Sequence, residues 1–333
     1  MKFAILLPLL SQFPIEEDGT AYVRRRVAMA SQTTSSQGPG ASGKSIPEGH
    51  AILAVPKKGR LNEKVMKMLD GAGLDYTRRE RVDVAVCTNL PIVLVFLPAS
   101  DIATFVGEGN VDLGITGQDH ILESGVDVDA LIELGFGKCS LSIQAPTVSQ
   151  IKDVKSQLTG KRIATSFPKI TADYFQKLDP SNPPHIREIS GSVEAACGLG
   201  LADAVVDLVE TGTTMRAAGL EEVEVIMKTQ ATLIANKSSK HTSIIELLKT
   251  RIEGYLTATR FMMISYNVSR EHLAAAILIT PGKRSPTVSP LEADDWCAVS
   301  SLVEKKAMAE VMDKLQGIGA TDILCFAISN SRM

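Results

Sequence analysis

A threonine-rich turn is the feature of this sequence best suited to chemistry. The apolar segment 204–208 leads into Thr211-Gly212-Thr213-Thr214, and residues with helical spacing follow. Backbone N–H groups in the first turn of a helix have no partner within the helix, so they can bind a phosphate group. Gly212 lets the backbone approach an anion closely, and the threonine hydroxyls add hydrogen-bond donors. The arrangement predicts a phosphate-binding loop.

Two acidic residues precede that turn. Asp207 lies near the end of the apolar segment, and Glu210 comes directly before Thr211. Carboxylates at this place can hold ribose hydroxyls or a magnesium ion, which makes both candidates for catalytic residues. The alternative is that Thr211 only caps a helix and that both acids are solvated. The order of strand, acids, threonine-rich turn and helix favours the phosphate site.

A basic turn lies close to the start of the folded region. Lys57, Gly59 and Arg60 stand between an apolar segment and an amphipathic one. The carboxyl end of a strand in an open α/β sheet is where such folds bind ligands, so these residues would face a cleft. A solvated surface is the alternative for any lone lysine or arginine.

Short apolar runs alternate with amphipathic segments through the first three quarters of the chain, which is typical of an α/β fold. Apolar runs without polar alternation suit a sheet that is covered on both faces. One helix is predicted over residues 61–69. Strands are predicted at residues 51–55, 82–87, 92–97, 113–116, 141–144, 162–165 and 204–208.

The last quarter has a different pattern. A helix over 242–256 is followed by a βαββαβ order, which predicts a separate ferredoxin-like domain. Its strands are predicted at 261–268, near 287, at 298–303 and at 323–329, and its helices at 271–279 and 306–315.

Residues 1–47 differ from the rest because Ser, Thr, Gln and Gly dominate their second half. Such a composition predicts a disordered extension, with a weak targeting peptide as the alternative. Within it, Gly38–Ser45 matches the P-loop expression. Pro47 and Gly49 oppose the helix that a P-loop requires, so the match is interpreted as accidental.

Composition excludes some classes of partner. A formal net charge of -3 gives no basic field for nucleic acid. The apolar segment 3–10 is too short to cross a membrane. Five scattered cysteines without a CxxC pair predict free thiols in a reducing compartment, and hence a cytoplasmic protein.

Several motifs together resemble the long form of the ATP phosphoribosyltransferase family, and their sequences are similar to those of its fungal branch. The match spans about residues 52–332. Its most specific part is the signature from Glu194 to Met215, with Gly200, Asp207 and the threonine-rich turn at fixed positions. Supporting motifs are found at residues 55–61, 112–117, 163–166, 190–194 and 280–289.

The resemblance implies a catalytic body similar to bilobed periplasmic binding proteins. Its first lobe would comprise 50–140 and 227–255, and its second lobe 141–226. A regulatory domain over 256–333 would bind histidine as an inhibitor. The implied reaction joins ATP to phosphoribosyl pyrophosphate with Mg²⁺, releases pyrophosphate and opens histidine biosynthesis. Members of this form are homo-oligomers, either dimers or hexamers.

The resemblance also implies roles for single residues. The turn at 211–214 would hold the 5-phosphate, with Asp207 at the ribose or magnesium, while the family pattern leaves the position of Glu210 free. Arg81 matches a family arginine that would meet the triphosphate or pyrophosphate, together with the basic turn. The histidine contacts would be Asn267, Ser285, Thr287 and Asp322. Ordinary polarity of turns and strand edges is the alternative for these four residues.

Two other functions compete with this interpretation. A different phosphoribosyltransferase would carry two adjacent acids after its apolar run, and Val205-Val206-Asp207-Leu208 does not. A ligand-binding or regulatory protein without catalysis would use the same bilobed shape. The complete phosphate loop and the intact basic turn favour an enzyme.

Overall fold

A computed structural model describes residues 47–78 and 83–332. Arg81 and the P-loop-like stretch Gly38–Ser45 lie outside the described residues, as does the predicted extension except for its last residue. The chain forms two compact units. Of the described residues, the first unit comprises 47–63, 76–78 and 83–245, and the second comprises 64–75 and 246–332.

Fifteen strands are found in the described ranges, in three sheets. In chain order they are β1 Ala51–Pro56, β2 Val84–Val86, β3 Ile92–Leu97, β4 Leu113–Gly117, β5 Asp129–Glu133, β6 Cys139–Pro146, β7 Arg162–Thr165, β8 His185–Glu188, β9 Ala204–Val209, β10 Leu220–Thr229, β11 Ala231–Ala235, β12 Phe261–Ser269, β13 Thr287–Pro290, β14 Trp296–Glu304 and β15 Thr321–Ala327.

Helices of very different length connect the strands. The α-helices of the described ranges are Gly59–Gly71, Ala99–Gly107, Gln118–Ser124, Val154–Leu158, Pro168–Leu178, Ala195–Gly198, Thr213–Ala217, Thr242–Arg260, Leu273–Ile279 and Met308–Gly317, and short 3-10 turns lie at Thr147–Ser149 and Lys305–Ala307. None of the helices in these ranges is long and apolar enough to span a bilayer.

The first sheet has the order β2-β3-β1-β4-β11-β5. Its centre is parallel, because β1 pairs in parallel with both β3 and β4, while β2, β11 and β5 are antiparallel to their neighbours. Every residue of β1 and β3 is buried, as expected for apolar runs covered on both faces. Helix Ala99–Gly107 packs closely over Gly114 of β4, where a Cβ atom would lie 2.5 Å from Ile102 Cγ2.

The second sheet has the order β10-β6-β9-β7-β8. Strand β7 is parallel to β8 and β9, and β6 is antiparallel to β9 and β10. Its core is a cluster of aliphatic side chains with Phe167 and Phe175. The chain crosses from the first sheet to the second between β5 and β6 and returns at Gln230, between β10 and β11. Two lobes linked by two crossings result, and the predicted bilobed body is confirmed.

The second unit contains the third sheet, in the order β13-β14-β12-β15, with antiparallel pairing throughout. Together with helices Leu273–Ile279 and Met308–Gly317 it follows the βαββαβ order. Burial alternates along β12: Ile264, Tyr266 and Val268 are buried under the helices, and the residues between them are partly exposed. The predicted ferredoxin-like arrangement is confirmed.

Candidate active site

The threonine-rich turn forms the end of β9, a central strand of the second sheet. Gly212 is buried and adopts φ 69 and ψ 11, the left-handed conformation, directly before helix Thr213–Ala217. Glycine adopts this conformation without the steric penalty that a Cβ atom brings. The backbone of the turn is therefore fixed by the residue type at this one position.

Polar groups of the turn point outward. Thr211, Thr213 and Thr214 are exposed, and the hydroxyls of Thr211 and Thr213 lie 3.0 Å apart. The Arg216 guanidinium donates to the Thr211 carbonyl at 2.8 Å and so stabilises the turn. The helix that follows has only five residues, so an anion here would be held by individual amides and hydroxyls rather than by a long helix dipole.

Asp207 is half-buried beside this turn. Its Oδ1 accepts a hydrogen bond from the Leu208 amide at 2.8 Å. Burial raises the pKa of Asp207, the negative charge of Glu194 raises that pKa further, and the Leu208 amide opposes both effects. The site thus contains a carboxyl group whose ionisation is less favourable than in water, and a cation or donor from a ligand would favour the ionised form.

The basic turn reaches the threonine-rich turn across the two lobes. Arg60, in the first turn of helix Gly59–Gly71, donates to Glu210 Oε2 at 2.7 Å. Lys57 instead donates to Asp83 at 2.8 Å, within the first lobe. Gly59 adopts φ 85, so the basic turn also depends on a glycine in the left-handed conformation.

A cavity of about 460 Å³ lies where the chain crosses between the lobes. It is lined by Gln118, Lys138, Cys139, Ser140, Val209, Lys228, Thr229 and Gln230. The pKa of Cys139 is raised to about 11, first by burial and then by the charges of Asp119, Glu210 and Asp207. The same carboxylates that flank the threonine-rich turn therefore act on the wall of this cavity.

The lining residues of the cavity are absent from the sequence-based site. Cys139 was interpreted there only as one of five scattered thiols, and Lys138, Lys228 and Thr229 carry no local motif. The signal that identifies them is topological, since all four lie at a crossing between the sheets.

Carboxylates in the described ranges do not form a metal centre by themselves. No group of three or more His, Cys, Asp or Glu side chains within residues 47–78 and 83–332 has a metal-binding arrangement.

The predicted histidine contacts fall into two pairs in the second unit. Asn267 donates to Asp322 at 2.9 Å. Ser285 and Thr287 line a cavity of about 780 Å³ together with residues from β12 and β14. Asp322 has φ 51, a left-handed conformation that asparagine and aspartate tolerate better than most residues.

The two linked lobes, the polar cleft between them and the ferredoxin-like unit further along the chain define a bilobed α/β protein with an appended small domain. A family model described as ATP phosphoribosyltransferase matches residues 98–254, and one described as HisG, C-terminal domain matches residues 258–330. The chain belongs to the ATP phosphoribosyltransferase family.

Relatives from yeasts agree over most of the chain. ATP phosphoribosyltransferase of Yarrowia lipolytica is 48% identical over 286 residues, which cover 85% of this chain and 96% of that protein. The Saccharomyces cerevisiae enzyme of the same name is 48% identical over 287 residues, with the same coverage. The Schizosaccharomyces pombe enzyme is 47% identical over 303 residues, which cover 86% of this chain and 97% of that protein.

A solved structure supports the bilobed body. The ATP phosphoribosyl transferase complex from Thermotoga maritima aligns with a TM-score of 0.52 and 30% identity, over 61% of this chain and 98% of that one. The predicted enzyme class, a phosphoribosyl-transferring enzyme of histidine biosynthesis, is confirmed by these comparisons. The competing interpretation as a binding protein without catalysis is thereby set aside.

Proposed function

We propose that the chain transfers the phosphoribosyl group of phosphoribosyl pyrophosphate to N1 of ATP and releases pyrophosphate. The observation that carries this proposal is the exposed threonine-rich turn, fixed by Gly212 and placed beside the half-buried Asp207. Family membership supports both substrates.

In this reaction the lone pair of adenine N1 attacks ribose C1, and the bond from C1 to the pyrophosphate oxygen breaks with its electron pair on oxygen. Adenine N1 has no proton to lose, so the reaction needs positioning and charge stabilisation more than a strong base. We assign the 5-phosphate to the amides and hydroxyls of Thr211, Gly212, Thr213 and Thr214. The three exposed threonines and the left-handed conformation of Gly212 support the assignment.

Asp207 would accept hydrogen bonds from the ribose hydroxyls. These donors would favour its ionised form. Its raised pKa supports this role, because a carboxylate without enough donors gains most from a ligand that supplies them. We regard Glu210 as an auxiliary acid that orients Arg60, which its 2.7 Å ion pair supports.

The basic turn would meet the pyrophosphate and the triphosphate. Lys57, Gly59 and Arg60 lie at the carboxyl end of β1, and Arg81 would add to them from outside the described residues. Mg²⁺ would arrive with the pyrophosphate as part of the substrate, which the lack of a ready carboxylate cage in the described ranges supports. Asp207 would supply one further contact to the ion.

We further propose that the 256–333 domain binds histidine through Asn267, Ser285, Thr287 and Asp322 and thereby inhibits the catalytic body, which comprises lobes 50–140 with 227–255 and 141–226. The hydrogen bond from Asn267 to Asp322 and the cavity that Ser285 and Thr287 line support a ligand that carries both charges and an imidazole. A homo-oligomer, dimeric or hexameric, and a cytoplasmic location complete the proposal.

The proposal is tested by measuring pyrophosphate release from the purified full chain. Release should require ATP and phosphoribosyl pyrophosphate together and should stop when EDTA removes Mg²⁺. Release from phosphoribosyl pyrophosphate alone would indicate a hydrolase instead. Added histidine should lower the rate without raising the KM for phosphoribosyl pyrophosphate, and unchanged rates at saturating histidine would reject the regulatory part.

A further inference from the structure

The short helix Gln118–Ser124 of the first lobe makes an unusual contact with the second lobe. Glu123 accepts hydrogen bonds from the Lys169 amide at 2.8 Å and from the Ile170 amide at 3.0 Å. These amides belong to the first turn of the 11-residue helix Pro168–Leu178. They have no partner inside their own helix, so a carboxylate from the other lobe satisfies them.

Two neighbours of Glu123 strengthen the same contact. Thr229 is the last residue of β10 in the second sheet, and its hydroxyl donates to Asp119 Oδ1 at 2.6 Å and accepts from the Asp119 amide at 3.1 Å. The His120 ring stacks on Phe167, with centroids 5.4 Å apart. Asp119, Thr229 and Phe167 are all buried, which makes this a packed joint rather than a loose surface contact.

The joint lies next to the proposed substrate loops in both lobes. Helix Gln118–Ser124 follows β4, the sheet neighbour of β1, and β1 leads into the basic turn. Helix Pro168–Leu178 follows β7, the sheet neighbour of β9, and β9 leads into the threonine-rich turn. Both loops therefore lie one strand away from the joint, at the carboxyl ends of parallel strands.

We propose that Glu123 is a positioning residue: its carboxylate caps helix Pro168–Leu178 across the cleft and holds the two substrate loops at a common distance. The inference rests on the proposed function, in which the basic turn and the threonine-rich turn bind the substrates together across the cleft. A negative charge at the N-terminal end of an 11-residue helix is also favoured by the helix dipole. Without the cap the lobes open, and substrate binding has to supply the free energy of closure.

The test compares Glu123→Ala with Glu123→Gln and Asp153→Ala in the full chain. Asp153 caps helix Val154–Leu158 by accepting from the Ser156 amide at 2.9 Å, entirely within the second lobe. Glu123→Ala should raise the KM for both substrates about two- to thirtyfold, the range of a lost N-cap, with kcat nearly unchanged. Glu123→Gln keeps one of the two acceptor oxygens and loses the charge, so its KM should lie between those of the wild type and Glu123→Ala. Asp153→Ala should lower Tm without changing KM.

Small-angle X-ray scattering gives a second readout that does not depend on turnover. The radius of gyration of substrate-free Glu123→Ala should exceed that of the wild type and return toward it at saturating phosphoribosyl pyrophosphate. A lower Tm with unchanged KM and radius of gyration would overturn the proposal. An inactive wild type would refute the proposed function, while the scattering comparison would still test the joint.

A second pair of variants keeps the test decisive if Glu123→Ala fails to fold. Lys169→Pro removes the backbone N–H that donates a hydrogen bond to Glu123, and proline is tolerated in the first turn of a helix. Lys169→Ala removes the same side chain and keeps the amide. The KM should rise in Lys169→Pro and not in Lys169→Ala, and equal KM values in the two variants would contradict the role of Glu123.

Discussion

Arg60 Nη1 and Glu210 Oε2 lie 2.7 Å apart, which joins the first turn of a helix in one lobe to the residue directly before the threonine-rich turn of the other. The two side chains are 72% and 41% exposed. Such an exposed pair contributes only about 0–1 kcal/mol to the free energy of unfolding. Its position between the two proposed loops therefore indicates a role in the cleft more than in stability.

Arg60→Ala should separate these two roles. We expect the free energy of unfolding to fall by less than about 1 kcal/mol, while kcat/KM falls by roughly tenfold or more through loss of a cation at the pyrophosphate. Lys237→Ala, whose lysine pairs with the exposed Asp127 and has no role in the proposed site, is the matched control for removal of a positive charge. Parallel urea unfolding and pyrophosphate-release assays measure both. A kcat/KM for Arg60→Ala equal to that of the control variant would contradict the assignment of Arg60 to the pyrophosphate.

Gly212→Ala should weaken binding of phosphoribosyl pyrophosphate. A non-glycine residue at φ 69 costs about 1 kcal/mol, and the new Cβ atom would lie 2.7 Å from Arg216 Nη1, the flexible end of the group that braces the turn. We expect a KM for phosphoribosyl pyrophosphate about tenfold higher.

Gly200→Ala is the control for Gly212→Ala. Gly200 has φ 70, and its new Cβ atom would meet no atom within 4 Å, so the variant brings the same backbone penalty at a site remote from the turn. Its Tm should fall while its KM stays at the wild-type value. A similar rise of KM in both variants would show that general loosening of the lobe is responsible.

Asp207→Asn should stabilise the protein while abolishing its activity. Because the pKa of Asp207 is raised in the folded state, its ionisation reduces stability as pH rises above about 4. The Tm of the variant minus that of the wild type should therefore become more positive from pH 4 to pH 7. The kcat of the variant should be lost over the whole range.

Asp203→Asn is the control of opposite sign. Arg162 lowers the pKa of Asp203 to about 2, so this carboxylate stabilises the fold above its unfolded pKa and loses that contribution as pH falls. Asp203→Asn should therefore lower Tm at neutral pH. Identical pH trends in the two variants would contradict the environments assigned to Asp207 and Asp203.

Asp322→Asn should weaken inhibition by histidine. Asparagine tolerates φ 51 as aspartate does, so the substitution removes the charge without backbone strain. We expect the histidine concentration for half-maximal inhibition to rise about tenfold, as for a lost charge-assisted hydrogen bond, with both KM values unchanged. Inhibition equal to that of the wild type would remove Asp322 from the histidine site.

Buried apolar strands and the ferredoxin-like order could be predicted from the sequence because burial leaves a continuous apolar run. The predictions for Ile92–Leu97 and Arg162–Thr165 agree with the strand limits. Strands β5, β8 and β10 were missed because they are polar, exposed strands at sheet edges, and β10 carries three glutamates. Strand β11 is buried, but a single residue separates it from β10, so no turn signal marks its start.

The site was predictable where it is local in sequence. The threonine-rich turn and the basic turn are short motifs that lie just after strands β9 and β1, and Asp207 lies within β9. The crossing cavity and the contact of Glu123 with helix Pro168–Leu178 were not predictable, because the cavity joins segments near residues 118, 139, 209 and 229 and Glu123 lies 46 positions before Lys169. Such contacts depend on how the two lobes pack and not on a local pattern.

Binding of two substrate fragments tests the phosphate assignment most directly. Isothermal titration calorimetry should show that Thr213→Ala/Thr214→Ala weakens binding of ribose 5-phosphate roughly tenfold or more while pyrophosphate with Mg²⁺ binds as to the wild type. Unchanged affinity for ribose 5-phosphate, or equal loss of both ligands, would contradict the account that this turn holds the 5-phosphate.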